Sequence, residues 1–182
     1  MALDRAHIVE VAHGALRENG LGGLTMRRLA QELGVQPGAL YYHVASKQEL
    51  LAAVGERILA GSTASTADPA EAARQIRAAL LEVRDSAEIV SFVQAYRPEA
   101  LPALRALEEI FAARLPREPA RLAARTLTNF VLGFVAEEQN FAELVRANLA
   151  TATPNPDYSD EAFAFGVRAI VDGLAHREPG RR

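Results

Sequence analysis

The sequence predicts an all-α protein, because residues that favour helices dominate it and residues that favour strands are few. Alanine and leucine are abundant, whereas aromatic residues make up only 6% of the chain and β-branched residues are sparse. Proline and glycine fall in clusters that separate segments of helical length. With 182 residues and 49% hydrophobic content, the chain can bury a full core. The clusters divide it into a small domain, residues 1–60, and a larger helical domain, residues 61–182.

The first helix is predicted to begin after Asp4 and to stop at Asn19-Gly20, since aspartate is a favoured N-cap and glycine a favoured helix end. Its apolar positions recur at helical spacing: Ile8, Val9, Ala12 and Leu16. The fourth helix is predicted to follow Ser46, which forms a capping box with Glu49. That helix would bury Leu50, Leu51, Val54 and Ile58.

Two short helices joined by a tight turn lie between these. One is predicted from about Met26 to Leu33, capped by Thr25 and ended by Gly34, and the other from Pro37 to His43. Inward anchors would be Leu29, Leu33, Val35 and Leu40, with Val35 a buried plug in the turn. Two helices across a three- or four-residue glycine-containing turn are typical of a helix-turn-helix.

The outer face of this motif predicts a DNA-binding surface. Arg27 would contact a guanine, Gly38 and Ala39 would admit a thymine methyl, and the tyrosines, His43 and Lys47 would bind phosphates. The full set is Thr25, Arg27, Arg28, Gln36, Pro37, Gly38, Ala39, Tyr41, Tyr42, His43 and Lys47. Taken alone, Leu40-Tyr-Tyr-His43 fits an aromatic core segment of a helical bundle better, and it is the neighbouring residues that favour the DNA interpretation.

The net charge of the chain and the distribution of that charge lead to different expectations about nucleic-acid binding. The net charge of −3 argues mildly against nucleic-acid binding, because counterion release rewards a basic surface. Residues 1–60, however, hold six basic and six acidic side chains, so the acidity lies in the rest of the chain.

The second domain is predicted to begin after the small polar stretch of residues 61–66, with Asp68-Pro69 starting a helix. Breaks at Arg97-Pro98, at Leu115-Pro116 with Pro119, and at residues 153–157 leave about five helices. The last two, about 120–148 and 159–177, carry apolar stripes. From them we predict a dimer interface of Leu127, Phe130, Val131, Phe163, Val167, Ile170 and Leu174.

Several classes of protein are disfavoured. The chain has no cysteine, which excludes disulfides and thiolate metal sites. Neither a signal peptide nor a stretch long enough to cross a bilayer is found, so we expect a cytoplasmic protein with no membrane partner. The four histidines are scattered, and no metal-ligand or catalytic-triad spacing occurs, so we expect no enzyme and no metal. The alternative that stays open is a helical dimer that binds a small molecule or protein without DNA.

Three runs of residues together resemble the DNA-binding domain of the TetR family of bacterial repressors. They are Thr25-Met-Arg-Arg-Leu-Ala-Gln-Glu-Leu-Gly-Val35, Gly38-Ala-Leu-Tyr-Tyr-His43 and Ser46-Lys-Gln-Glu-Leu-Leu51. Arg97-Pro98, Leu132–Gln139 and Glu161–Gly166 are similar to the C-terminal domain of the tetracycline-repressor branch. The resemblance implies a homodimer that binds operator DNA, dimerises through its last two long helices, and leaves DNA when a small-molecule effector binds.

Effector residues follow from the resemblance alone. Arg97 and Glu137 match effector-site positions, Glu109 stands where a glutamine is expected, and walls would come from Phe92, Tyr96 and Phe134. A plain salt bridge or a solvated face is an equal alternative for Glu137 and Arg97. Thr63 and Val93 replace two histidines that bind drug and magnesium, and Ala72 falls near a drug-binding asparagine, which argues against magnesium-tetracycline as the effector. Pro37 replaces a base-reading glutamine, so a different operator is expected.

Overall fold

The computed structural model describes residues 3–63, 66–151, 153 and 155–175. Over these ranges the chain folds into nine α-helices and two 3₁₀ turns with no strand, which confirms the all-α prediction. The helices are α1 (Arg5–Gly23), α2 (Met26–Glu32), α3 (Pro37–His43), α4 (Lys47–Ile58), α5 (Pro69–Leu81), α6 (Ser86–Tyr96), α7 (Pro102–Ala112), α8 (Arg117–Arg146) and α9 (Asp160–Ala175). Residues 64, 65 and 154 of the predicted connectors, and 176 and 177 of the predicted last helix, lie outside the described residues.

The described residues pack into two compact units. The first draws on Met1–Ala60 and Ala79–Pro102, and the second on Gly61–Ala78 and Ala103–Arg182. The sequence prediction had placed residues 79–102 in the second domain. They group with the first because α6 packs on α4: a Cβ added at Gly55 would lie 3.3 Å from Val93 and 3.5 Å from Leu101.

The helix starts in the first unit are set by local hydrogen bonds. Asp4 caps α1 by accepting from the His7 amide at 2.8 Å, and Ser46 caps α4 by accepting from the Glu49 amide at 3.1 Å. The helical backbone of α1 breaks at Gly20, whose φ of 66° lies in the left-handed region, and a short helical turn then continues to Gly23. The break therefore lies where Asn19-Gly20 predicted an end.

In the second unit, an aromatic cluster joins α8 to α9. The ring of Phe163 lies 5.7 Å from that of Phe130 and 5.2 Å from that of Phe134. Gly166 lets the Phe130 ring lie against the α9 backbone, since a Cβ there would overlap it. The helix α8 begins at Arg117, three residues before its predicted start, because proline is tolerated in a first helical turn and Pro119 does not interrupt it.

The residues of the predicted dimer interface differ in burial within the single chain, and the interface stays a prediction. Leu127, Val131, Phe163 and Val167 are at most 1% exposed. The apolar stripe that they form faces the core of their own unit. Phe130, Ile170 and Leu174 are half-buried. Among the described residues of the second unit, the exposed large apolar side chains are Leu122, Leu144, Leu149 and Phe165. Among the described helices, none is long and apolar enough to span a membrane.

Candidate functional site

The helix-turn-helix predicted from the sequence is present in the first unit. The Thr25 hydroxyl accepts from the Arg28 amide at 3.1 Å and so starts α2. Gly34, with φ of 69°, turns the chain, and the Val35 amide donates to the Ala30 carbonyl at 3.0 Å. We expected the Val35 side chain to be buried in the turn, but it is only half-buried. Backbone hydrogen bonds therefore contribute as much as this side chain to closing the turn.

The outer face of α3 is solvent-exposed over most of its length. Leu40 is fully buried and anchors the helix, whereas Tyr41 is 50% and Tyr42 89% exposed. His43 is half-buried and lies edge-on to Tyr42, with ring centroids 5.3 Å apart. Exposed tyrosines at these fractions leave two hydroxyls free to reach phosphate oxygens. Tyr41 and Tyr42 are therefore accessible to the phosphate contacts predicted for them.

Gly38 lies in open space at the start of α3. A Cβ added there would meet no heavy atom within 4 Å, and its φ is not in the left-handed region. Pro37 and Gln36 beside it are exposed, and Ala39 is half-buried. Neither packing nor backbone conformation therefore requires a glycine at this position, which leaves room for another molecule to approach the backbone.

The cationic side chains of the motif differ in how they are held. Arg27 is exposed on α2, whereas Arg28 donates from Nη2 to Oδ1 of Asn19 at 3.2 Å. Lys47 is half-buried at the first position of α4, directly after the Ser46 cap. A cation there adds to the positive end of the α4 dipole, which favours an anion such as a phosphate.

Glu49 connects the start of α4 to the end of α6. The capping-box pattern places its carboxylate on the Ser46 amide, but the carboxylate accepts from Arg97 Nη1 and, at 3.3 Å, from the Tyr96 hydroxyl. Arg97 also pairs with Glu99 at 3.3 Å. Sequence reasoning assigned Glu49 only a capping role, because no local signal shows a partner 48 residues away.

Three of the predicted effector residues lie together in the first unit. Phe92 stacks on Tyr96 with ring centroids 5.5 Å apart and an interplanar angle of 14°. Phe92 is 38% and Tyr96 48% exposed, so the pair presents an accessible aromatic surface beside Arg97. A cation next to accessible aromatic rings suits a planar, anionic ligand.

The other three predicted effector residues belong to the second unit. Phe134 is part of the aromatic cluster, and Glu137 is exposed on α8. Glu109 lines an open cleft of about 490 Å³, formed by Arg105, Glu108, Glu109, Ala112, Leu115 and Arg117. A smaller cavity of about 240 Å³ is lined by Pro69, Phe111, Arg114, Leu115, Val171 and Leu174.

The neighbour of Glu137 carries an ion pair that the sequence did not reveal. Glu138 accepts from Arg77 at 2.6 Å, and Asp160 accepts from the same guanidinium at 2.6 Å. The guanidinium lies over the Phe163 ring at 4.8 Å. The hydrogen bonds that Arg77 donates to Glu138 raise the pKa of Arg77 further above its usual range. Arg77 and Glu138 are only 13% and 12% exposed, so this pair joins α5 to α8 largely away from water.

The described residues contain no group of three His, Cys, Asp or Glu side chains that could hold a metal ion. What they contain is a helix-turn-helix with an exposed outer face, linked through Glu49 to α6, and a helical second unit. These features define a DNA-binding regulator with a separate helical domain.

The comparisons with known proteins establish the family. Residues 8–54 match the family described as "Bacterial regulatory proteins, tetR family", and residues 65–157 match "Tetracyclin repressor-like, C-terminal domain". The chain belongs to the TetR family of bacterial regulators. It is therefore a ligand-responsive, dimeric, DNA-binding transcription factor rather than an enzyme.

Individual relatives cover nearly the whole chain. The class A tetracycline repressor protein from transposon 1721 of Escherichia coli is 33% identical over 93% of this chain and 89% of its own length. The crystal structure of BioQ with its natural double-stranded DNA operator is 35% identical, with a TM-score of 0.78, and covers 97% of this chain and all of that one. A TetR variant from Acinetobacter baumannii AYE, solved with minocycline, is 28% identical with a TM-score of 0.77 over 96% of this chain and 97% of that one.

Proposed function

We propose that this protein represses transcription in the cytoplasm by placing α3 of each subunit in the major groove of an operator, and that a small-molecule effector releases it. The observation that carries the proposal is the exposure of Tyr41 and Tyr42 beside the open backbone at Gly38. A short helix with an exposed polar end and no side chain at one position can approach base edges closely.

The division of roles follows from side-chain chemistry. Arg27 is exposed and can pair with guanine through two parallel hydrogen bonds, whereas Gly38 and Ala39 offer no hydrogen bonds to bases. Arg27 therefore carries most of the direct reading of sequence. Phosphate contacts, which position the motif on the duplex, come from the remaining polar residues: Thr25, Arg28, Gln36, Tyr41, Tyr42, His43 and Lys47.

Effector release would act through Glu49. The Arg97 guanidinium is shared between Glu49 and Glu99 and is partly exposed, so an anionic effector group can compete for it. Losing this partner would release the Glu49 side chain from Arg97, in the same helical turn as Lys47. The aromatic pair Phe92 and Tyr96 would bind the planar part of such a ligand.

The DNA-binding part is tested with duplexes that the wild-type protein selects from a random pool. Arg27→Ala should lower affinity for the selected duplex by about 10- to 100-fold and relax the base preference at one position of each half-site. Tyr42→Phe should weaken binding to all duplexes alike, because the lost contact is to phosphate. Arg74→Ala, which removes the same charge from the exposed face of α5, is the matched control.

The proposal fails if the wild-type protein enriches no duplex, or if Arg27→Ala keeps full affinity and the full base preference. The number of phosphates contacted is checked by titrating salt. The logarithm of the binding constant should fall linearly with the logarithm of salt concentration, and the Tyr42→Phe slope should stay close to wild type because tyrosine carries no charge.

A further inference from the structure

The turn between α5 and α6 is hydrogen-bonded to the end of α1, just before the helix-turn-helix. Asp85 accepts from the Leu21 amide through Oδ2 at 2.6 Å, and Arg84 donates from Nη1 to the Glu18 carbonyl at 2.9 Å. These bonds join positions that are 64 and 66 residues apart. Together they satisfy a carbonyl at the end of α1 and an amide just past its break, two groups that a helix end leaves without helical partners.

Asp85 adopts a backbone conformation that residues other than glycine rarely take. Its φ of 56° and ψ of 17° lie in the left-handed region. Two hydrogen bonds stabilise the turn. The buried Ser86 hydroxyl donates to the Leu80 carbonyl at 2.6 Å, and the Ile89 amide donates to the Asp85 carbonyl at 3.0 Å. These bonds stabilise the backbone from which the Asp85 carboxylate reaches the Leu21 amide.

The carboxylate of Asp85 lies directly against Gly20. Gly20 is buried with φ of 66°, and a Cβ added there would lie 2.6 Å from Asp85 Oδ2. This residue is the point at which α1 breaks before the short turn that leads to Thr25 and α2. Gly20 and Asp85 are therefore in contact at the break that precedes α2.

We propose that Asp85 is a positioning residue for operator recognition: by holding the Leu21 amide over the Gly20 break, it fixes the direction in which α2 and α3 leave α1. The proposal rests on the DNA-binding function proposed above. It gives Asp85 no contact with DNA. Its effect on binding passes through the placement of Arg27 and of the exposed face of α3.

The test compares three substitutions at this position. Asp85→Asn keeps an oxygen acceptor and a side chain that tolerates the left-handed region. Asp85→Gly keeps the backbone freedom but removes the acceptor, and Asp85→Ala removes both. Binding is measured to a duplex selected by the wild-type protein and to a scrambled duplex of the same length. Amide hydrogen exchange at Leu21 is followed without DNA.

The expected result separates positioning from stability. Asp85→Gly should lose about tenfold or more in affinity for the selected duplex, which is about 1.4 kcal/mol, with unchanged affinity for the scrambled one. Its Leu21 amide should exchange faster. Asp85→Asn should restore both properties to near wild type. Should Asp85→Gly not fold by circular dichroism, Asp85→Ser, whose hydroxyl is one bond shorter, replaces it.

Two results overturn the inference. One is an acceptor-free variant that binds the selected duplex as tightly as wild type, and the other is an Asp85→Asn variant that loses as much affinity as Asp85→Gly. Either result leaves the proposed function standing, because the wild-type protein would still have selected its duplex. If the wild-type protein selects no duplex, the proposed function and this inference fall together.

Discussion

Arg97, the residue directly after α6, donates a hydrogen bond from its guanidinium to the carboxylate of Glu49 in the first turn of α4. The Ser46 hydroxyl accepts a hydrogen bond from the amide of the same Glu49, and Lys47 lies between Ser46 and Glu49 in the sequence. One acidic residue therefore ties the end of α6, where we expect effector contacts, to the helix start where we expect a phosphate contact. The pair is the direct physical link between the two predicted functions within the first unit.

The strength of this link is measurable by a double-mutant cycle. Glu49→Gln, Arg97→Gln and the double variant should give a coupling of about 0.5–1 kcal/mol in the free energy of unfolding, since the pair is partly exposed and screened by water. Urea titration at low and high salt is the measurement, and the coupling should shrink in high salt. Glu56→Gln, an exposed carboxylate near the other end of α4, is the control. A coupling that is zero at low salt would contradict the link.

The helix starts of the first unit were predictable because their signals are local. The caps at Asp4, Thr25 and Ser46 each bind an amide three residues ahead, and these pairs can be read directly from neighbouring sequence letters. The same holds for the break at Gly20 and the turn at Gly34, where a left-handed φ favours glycine.

The contacts that matter most for the site could not be predicted in this way. The bonds from Asp85 to Leu21 and from Arg97 to Glu49 join distant parts of the chain, and helix crossings decide which side chains meet. The apolar stripe on α8 shows the same limit. Helical spacing indicated that Leu127 and Val131 share a face, but not that this face is buried within the same chain.

Gly38→Ala should raise stability and lower operator affinity at the same time. Alanine favours a helix over glycine by up to about 1 kcal/mol, and the added Cβ meets nothing in the chain. A methyl group at a close approach to DNA should nevertheless weaken specific binding by about tenfold. Thermal unfolding and fluorescence anisotropy with a selected duplex measure the two effects.

Gly14→Ala is the matched control for this substitution. Gly14 also lies in a helix with no heavy atom near its added Cβ, but on α1, away from the predicted contacts. It should gain similar stability with unchanged DNA binding. If Gly38→Ala binds the duplex as tightly as Gly14→Ala does, the close approach at Gly38 is wrong.

Glu137 and Glu138 should differ sharply although they are neighbours. Glu138→Gln leaves the nearly buried Arg77 without its main partner and should cost about 2–4 kcal/mol of unfolding free energy. Glu137→Gln changes an exposed side chain and should cost less than about 0.5 kcal/mol. Adding Arg77→Met to Glu138→Gln should recover part of the loss, because no unpaired charge then stays buried. Equal losses for the two single variants, measured in urea, would refute this assignment.

The stability of the first unit should decrease in mild acid because of His13. Burial is the main cause that lowers the pKa of His13 below its ordinary 6.5, and the nearby Arg57 lowers it further. Arg17 acts in the same direction, whereas the carboxylates of Glu10 and Glu82 oppose it. Between the folded pKa and 6.5 the unfolded chain binds the extra proton, so stability is fully present above pH 6.5 and falls as the pH decreases through that window.

His13→Gln should remove this dependence, since glutamine does not titrate. The free energy of unfolding, measured by urea titration from pH 7.5 down to pH 5, should fall for the wild type and stay nearly level for the variant. Glu10, whose pKa the hydrogen bond from Arg57 lowers below its ordinary 4.5, loses its contribution only at more acidic pH and so leaves the window clear. Arg57→Gln should weaken the dependence without abolishing it, because burial of the imidazole persists. Parallel curves for the wild type and His13→Gln would show that another group titrates in this range.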